Sequence, residues 1–387
     1  MAKYRDVVLV LLITFLYHTM NQMFVPTLPL YITELGGSEA VVGGIVGLLS
    51  LGAIIAKVFF GKMATRHSNL LVLRIGLVLA TVVLVLYQPF FGFAFLAAVR
   101  VLQSVGLAGF VTGAQGMLSE NTNPSNRGLL FGFFAAMIGL GMVVGPMLGS
   151  FLVEHFNYSL LFWGATVVVA LAMVFSFLIR PKSSVSALGM GRTYQPHSPW
   201  KNRNLLVVSG TMLLAASIMG ATSSIFTLHA KAVGITNPSL FFGLFALTYT
   251  FSGGISGYLS HRFGNSAMII PGFGLSILGL LLLTILNGVP VMVAAAVLIG
   301  IGFGFVNTVL MAMVPGYSIN AVDASNDLAF FSNAFDSGIV LGSIGLSWLA
   351  SYSFGLFWLA VAMANALGLL LYLRYNPEKM QKVKAQE

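Results

Sequence analysis

Gly141-Met142-Val143-Val144-Gly145-Pro146-Met147-Leu148-Gly149-Ser150 lies inside a long apolar segment. Gly141, Gly145 and Gly149 recur every four residues, so on a helix they line one face. Along that strip there are no side chains, and a neighbouring helix can approach the backbone closely. Pro146 removes a backbone donor and bends the helix, which lipid tolerates only where neighbours re-satisfy the freed carbonyl. A groove beside a bend suits two packed bodies that rock past one another. Ordinary small-residue helix packing produces the same spacing.

The rest of the chain has the same character. Of 387 residues 7% are charged and 58% hydrophobic, and the mean hydropathy is +0.94. No soluble domain hides that much apolar surface, so the bilayer must be the solvent. The formal net charge of +9 does not mark a nucleic-acid binder, because the basic residues sort by side instead of clustering on a soluble face. With the N-terminus taken as cytoplasmic, only Lys231 of the nineteen Lys and Arg falls in an outer loop. Lys57 and Arg100 lie within helices, and the others sit in or beside inner loops and tails. This positive-inside bias places both termini in the cytoplasm. The absence of Cys excludes a disulfide framework and thiol chemistry. Met1 to Asp6, followed directly by an apolar run, reads as the start of a retained first helix in a multi-pass protein of the cytoplasmic (inner) membrane.

Twelve apolar segments are long enough to span hydrocarbon: 7–31, 41–60, 70–89, 92–115, 127–150, 158–179, 204–228, 238–260, 267–287, 289–313, 326–349 and 355–374. The expected fold is all-α, with two six-helix bundles at 1–179 and 204–374. Between them lies a polar linker, 180–203, and after them a cytoplasmic tail, 375–387. The halves repeat each other. Gly61, Arg66, Asn69 and Gly76 match Gly257, Arg262, Asn265 and Gly272 at an offset of 196, and Gly141 and Gly145 match Gly338 and Gly342 at 197. Such a duplication predicts two bundles related by a pseudo-two-fold axis along the membrane normal, with the substrate path between them.

Polar residues inside the spans are the candidate site. The fourth segment carries Arg100-Val101-Leu102-Gln103, less than ten residues into the span. An Arg inside a span costs roughly 2.5–3.5 kcal/mol on insertion scales, so it faces a partner or a wet cavity, or it snorkels to the outer interface. No acid of its own half is placed near it, leaving Asn21, Gln22 and Gln103 as expected partners. Of ten Asp and Glu, Asp336 alone falls near a helix midpoint, with Ser332, Asn333 and Ser337 around it. An acid in that setting is expected either to gain and lose its proton near physiological pH or to pair permanently with a base. Asp323 and Asp327 read as caps of the same helix. In the first helix Tyr17, His18, Asn21 and Gln22 form a polar turn ahead of Pro26 and Pro29. His18 can share proton work with Asp336 or serve as a neutral donor. Lys57 reads as snorkelling. Gln115, Ser217, Thr222, Ser223, Thr227, Tyr249, Asn307 and Thr308 are scattered at helical spacing and could line a cavity with Asn333. Thirty-one Phe and eighteen Met add soft contact area suited to an amphipathic or variable substrate.

The strip around Gly145 closely resembles the fifth-helix signature of drug:proton antiporters of the major facilitator superfamily, with Ser150 in place of the usual final Gly. Gly61 and Arg66, and again Gly257 and Arg262, resemble the superfamily's G-x-L-A-D-R-x-G-R-R/K loop. Its acid is replaced by Thr65 and His261, and its following basic pair is missing. That departure puts a charge-based inner latch in doubt and leaves Arg66 and Arg262 free to bond helix C-terminal carbonyls. Arg100, Gln103 and Gly106 resemble the R-x-x-Q-G-x-G pattern, with Ser104 for its first Gly. Family antiporters frequently carry an acid in the first helix; this chain has none there.

The resemblance implies a proton-coupled exporter of a small organic or amphipathic molecule, a drug, metabolite or metallophore, working by alternating access. No metal cluster, phosphate loop or nucleophile–base pair is visible in the sequence, and Gly300, Gly302 and Gly304 lie in an apolar span where they signify helix contact. The chain is expected not to be an enzyme, to need no cofactor beyond the proton gradient, and to work as a monomer. Its partners are expected to be a small-molecule substrate, protons and lipid. Two alternatives stay open: a proton symporter for a sugar, amino acid or organic anion, and a non-transporting membrane sensor or partner.

Overall fold

The computed structural model describes residues 2–121, 127–180, 198–318 and 321–375, without the side chains of 2–4, 65, 127–129 and 321–325. The expected linker core, the tail, and the side chains of Thr65 and Asp323 lie outside the described residues. Among these residues the chain is helical with no strand. The first half supplies α1 Ala2–Glu34, α2 Glu39–Arg66, α3 Asn69–Val85, α4 Phe93–Glu120, α5 Arg127–His155 and α6 Tyr158–Phe177. In the second half α7 starts as Arg203–Ala221 and continues through a π segment, Thr222–Phe226, into Thr227–Ala232. It is followed by α8 Ser239–Phe263, α9 Ser266–Thr284 and α10 Val289–Met313. Next, α11 Ala321–Val340 runs into a π segment, Leu341–Gly345, and a 3-10 turn, Ser347–Ser351; α12 is Phe354–Tyr375. Eleven of these helices are long and apolar enough to cross a membrane, and Asn69–Val85 is a shorter apolar helix.

Local chemistry sets the helix ends. Ser68 and Asn157 accept backbone N–H bonds from Leu71 (3.1 Å) and Leu160 (2.8 Å), capping α3 and α6. Asn202 caps α7 in the same way through Leu205 at 3.2 Å. Gly264 closes α8 at φ 90°, a left-handed conformation that side chains disfavour.

By internal contacts the chain divides into two compact units, Met1–Gly37 with Leu48–Arg192, and Ser38–Gly47 with Thr193–Glu387. The first turns of α2 therefore group with the second unit. There Gly43 and Gly47 lie against Ser347 and Ser343 without room for a side chain, and Ser351 donates to Glu39 at 3.1 Å. Inside each unit the helix contacts repeat. The pairs α1·α5, α1·α6, α3·α4 and α3·α6 recur as α7·α11, α7·α12, α9·α10 and α9·α12.

The glycine strip of α5 is closed by α1. A Cβ on Gly141 would lie 2.8 Å from His18 Cβ, and one on Gly145 would lie 2.6 Å from both Thr19 O and Gln22 Cβ. Gly149 meets the Met23 backbone in the same way. The groove is thus filled by a helix of its own unit. In the second unit Gly338 and Gly342 meet the α7 backbone at Leu213 and Ser217.

Several expectations need correction. Arg66 and Arg262 are exposed and bond no helix end among the described residues. Arg262 instead lies 5.4 Å over the Phe263 ring. The helix end that is capped by Arg is that of α6, where Arg74 donates to Ser176 O and Ile179 O (both 3.1 Å) and Arg5 to Leu178 O (3.0 Å). A Cβ on Gly61 or Gly257 would meet nothing within 4 Å, so packing does not demand glycine there. Helix α11 begins earlier than expected, so Asp327 sits within it and accepts from Ser318 Oγ at 2.7 Å instead of capping. Asp6 lies inside α1, 4% exposed, beside Arg5 at 3.5 Å.

Candidate functional site

In the first unit the polar turn of α1 meets α4. Tyr17 is fully buried and lies flat on Phe110, ring centroids 3.8 Å apart at 8°. The half-buried His18 presents its ring edge-on to Phe110 at 5.8 Å. One helical turn separates Arg100 and Gln103, so both project from one side of α4. Arg100 Nη1 donates to Gln103 Oε1 at 2.8 Å, and Tyr87 OH donates to the same oxygen at 2.6 Å. Tyr87 comes from the turn after α3 and is wedged between Phe24 and Phe162, at 5.1 and 5.4 Å.

Of the expected partners of Arg100, only Gln103 is brought to it; Asn21 and Gln22 stay half-buried on α1. Tyr87 was not among the candidates. Its one sequence signal is a phenol at the end of an apolar segment, which interfacial tyrosines share. Ser104, in place of the family's Gly, turns its hydroxyl back to Val101 O at 2.6 Å and fits against Gly52. Gln115 is exposed and joins no cluster.

In the second unit Asn307 Nδ2 donates to Tyr249 OH at 2.7 Å. Phe245, Tyr249 and Phe303 stack with nearly parallel rings, Phe245–Tyr249 at 6.0 Å and 9°, Tyr249–Phe303 at 5.7 Å and 24°. Phe303 in turn reaches Phe335 at 6.3 Å. The next residue, Asp336, is 8% exposed. Asn333 is half-buried one turn earlier and accepts from Ser337 Oγ through its carbonyl at 2.8 Å. Ser223 lies in the α7 π segment and donates to Gly220 O at 3.1 Å. Gly220 itself packs on the α11 backbone at Ile339.

Two further buried polar pairs escaped sequence reading. Trp358 Nε1 donates to His229 Nδ1 at 3.0 Å, with the His229 ring stacked on Phe354 at 4.7 Å. Asn365 on α12 is fully buried and donates to Ser217 Oγ at 3.3 Å. Each of these side chains looks like an isolated polar residue in an apolar run.

Chemically, the units offer different things: a buried positive charge bonded to an amide that also holds Tyr87 in the first, and a buried carboxyl next in sequence to Phe335 in the second. Comparison with known proteins adds the ancestry. The sequence model described as Major Facilitator Superfamily matches residues 10–236 and 215–387. The quinolone resistance protein NorA of Staphylococcus aureus is 26% identical over 166 residues, 43% of this chain and 43% of NorA. The chain therefore matches less than half the length of that relative. The multidrug resistance protein MdtG of Proteus mirabilis is 26% identical over 358 residues, 86% of each chain. Among solved structures the nucleoside transporter NupG superposes with a TM-score of 0.77 at 15% identity, covering 95% of this chain and 98% of NupG. A bacterial homologue of the lysosomal transporter Spinster superposes at 0.79 with 12% identity, covering 96% of each. At these identities the structural likeness shows the fold.

Proposed function

Because the chain belongs to the Major Facilitator Superfamily, we propose that this multi-pass membrane transporter is a proton-coupled exporter of small organic or amphipathic molecules. It works in the cytoplasmic membrane with both termini inside, by alternating access and without a cofactor. The direction is supported by the names of the aligned relatives, a quinolone resistance and a multidrug resistance protein, and by the strip of Gly141, Gly145 and Gly149 with Pro146.

The observation offered for proton coupling is Asp336, a carboxyl 8% exposed and ten residues into the span Asn326–Ser351, with Ser332, Asn333 and Ser337 close in sequence. A carboxyl inside a membrane span is a group whose protonation state can act as a switch. Protonation from outside removes the buried charge and lets the empty carrier reorient. Cargo entering from the cytoplasm displaces the proton and resets the cycle. His18, half-buried beside Phe110, is the second group able to take a proton. Within the first unit, taken by itself, the residues proposed for cargo are Arg100, Gln103, Tyr17, Asn21 and Gln22; the second unit, taken by itself, offers Ser223, Tyr249, Asn307 and Asn333.

Proteoliposomes with an imposed pH gradient test this. A fluorescent quinolone should move uphill against the proton flow, and Asp336→Asn should abolish accumulation while leaving binding largely intact. Accumulation that is absent in the wild type, or undiminished in Asp336→Asn, rules the coupling out.

A further inference from the structure

The Arg100 cluster holds a charge that the described fold does not neutralise. Arg100 is 5% exposed and Gln103 fully buried. The guanidinium bonds a neutral amide, whose oxygen also accepts from the Tyr87 hydroxyl. The acids of the first unit are engaged or placed elsewhere. Asp6 lies beside Arg5, Glu34 accepts from Tyr158, Glu120 accepts from Asn69, and Glu154 is exposed near the end of α5. Among the described residues no ion pair reaches Arg100. Arg cannot shed its proton, and a desolvated guanidinium without a counter-charge is expensive.

The unsatisfied atoms are all of one kind. Arg100 Nε and Gln103 Nε2 are buried and have no bonding partner among the described residues. Turning the Gln103 amide does not cure this, because its Oε1 already serves both Arg100 and Tyr87. A flip would set Nε2 against guanidinium N–H groups. Both orphans are therefore donors, and the partner they lack is an acceptor.

We infer that the cargo carries an anionic group, a carboxylate or similar planar oxyanion, on an aromatic or apolar body. Arg100 and Gln103 take the oxyanion, and the rings at the cluster are those of Tyr87, which bonds the same Gln103 oxygen, and of Phe24 and Phe162 on either side of it. Tyr87 is a positioning residue, holding the Gln103 carbonyl so that its amide donor stays available. Calling this ligand the cargo rests on the exporter reading; the charge preference is a property of the cluster itself.

Three probes on one scaffold separate charge from hydrophobicity: pyrenebutyrate, pyrenebutanol and pyrenebutylamine. Binding to the purified full-length protein is followed by fluorescence anisotropy near neutral pH. The wild type should bind pyrenebutyrate at least about tenfold tighter than either other probe. Arg100→Gln should bring pyrenebutyrate to the level of pyrenebutanol, so that the ratio of the two affinities collapses to about one. Tyr87→Phe, which keeps charge and volume, should reduce the preference severalfold. The wild-type ranking decides the matter even where Arg100→Gln does not fold. Pyrenebutylamine bound as tightly as pyrenebutyrate, no probe bound at all, or equal loss of all three in Arg100→Gln overturns the inference. Flux in proteoliposomes is read separately. Arg100-dependent anion binding without flux refutes the exporter reading alone, whereas pumping of pyrenebutylamine with equal affinity for all three refutes the anion preference alone.

Discussion

Putting a side chain on Gly145 should damage the α1–α5 contact by a calculable amount. A methyl group there lies 2.6 Å from Thr19 O and 2.6 Å from Gln22 Cβ, well inside the ~3.5–4.0 Å optimum for carbon contacts. The first obstacle is a backbone carbonyl, so no rotamer change relieves it, and α1 must be displaced by about an ångström. Overpacking of this kind costs about 1–3 kcal/mol. Removing a helical glycine returns about 0.5–1 kcal/mol of backbone entropy, which has to be measured apart. Gly254 supplies that control, since it lies in α8 with nothing within 4 Å of its missing Cβ. Unfolding in mixed detergent can be followed through the four Trp. Gly254→Ala should be neutral or stabilising, and Gly145→Ala should fall about 1–3 kcal/mol below it. Gly145→Leu, with three more carbons to place, should insert but not transport, because such a bias shifts a two-state population by about 5- to 150-fold. Equal unfolding midpoints for Gly145→Ala and Gly254→Ala would refute the contact argument.

Arg100→Lys keeps the charge and loses the planar fork that reaches Gln103, so flux should drop about tenfold or more; wild-type flux would show that charge alone suffices. Trp358→Phe leaves His229 Nδ1 without its donor in a site where the two are 0% and 6% exposed. It should cost about 1–3 kcal/mol in the same unfolding assay. Adding His229→Leu should then cost less than the two single changes summed, and strict additivity would mean the bond contributes nothing.

The span pattern and the duplication were legible because they depend on quantities a sequence carries: apolar run length, and Gly and Arg at a fixed offset. The glycine strip was legible for the same reason, but its occupant was not. Spacing says that a helix approaches, and only the fold says that it is α1 at Thr19 and Gln22. Polar partnerships were hidden for another reason. Tyr87, His229 and Asn365 bond residues 16, 129 and 148 positions away, and no local pattern reports such pairs. The expected role of Arg66 and Arg262 failed because turn chemistry places an Arg at a loop without saying which carbonyls it reaches. Arg74 and Arg5, with no motif around them, cap α6 instead.

The two halves solve one mechanical problem with different chemistry. The offset that carries Gly145 to Gly342 carries Pro146 to Ser343, inside the π segment Leu341–Gly345 of α11. Gly145 packs on Thr19 where Gly342 packs on Ser217, which sets α1 about one residue further out of register and carries Pro26 to Ser224. Ser224 lies in the π segment Thr222–Phe226 of α7. A proline deletes one ladder bond; a π turn widens the ladder by one residue. Either leaves the helix weak at one level, and in α5 and α11 that level adjoins the glycines that let backbones touch. The adjacency has a physical reason. Bending a helix against bulky neighbours opens voids and strands side chains, whereas bending it over a bare strip keeps the backbones in contact throughout. Two of the three strip glycines recur in the second half, with Leu346 at the place of Gly149, and a π turn stands at the level where the first half has its proline.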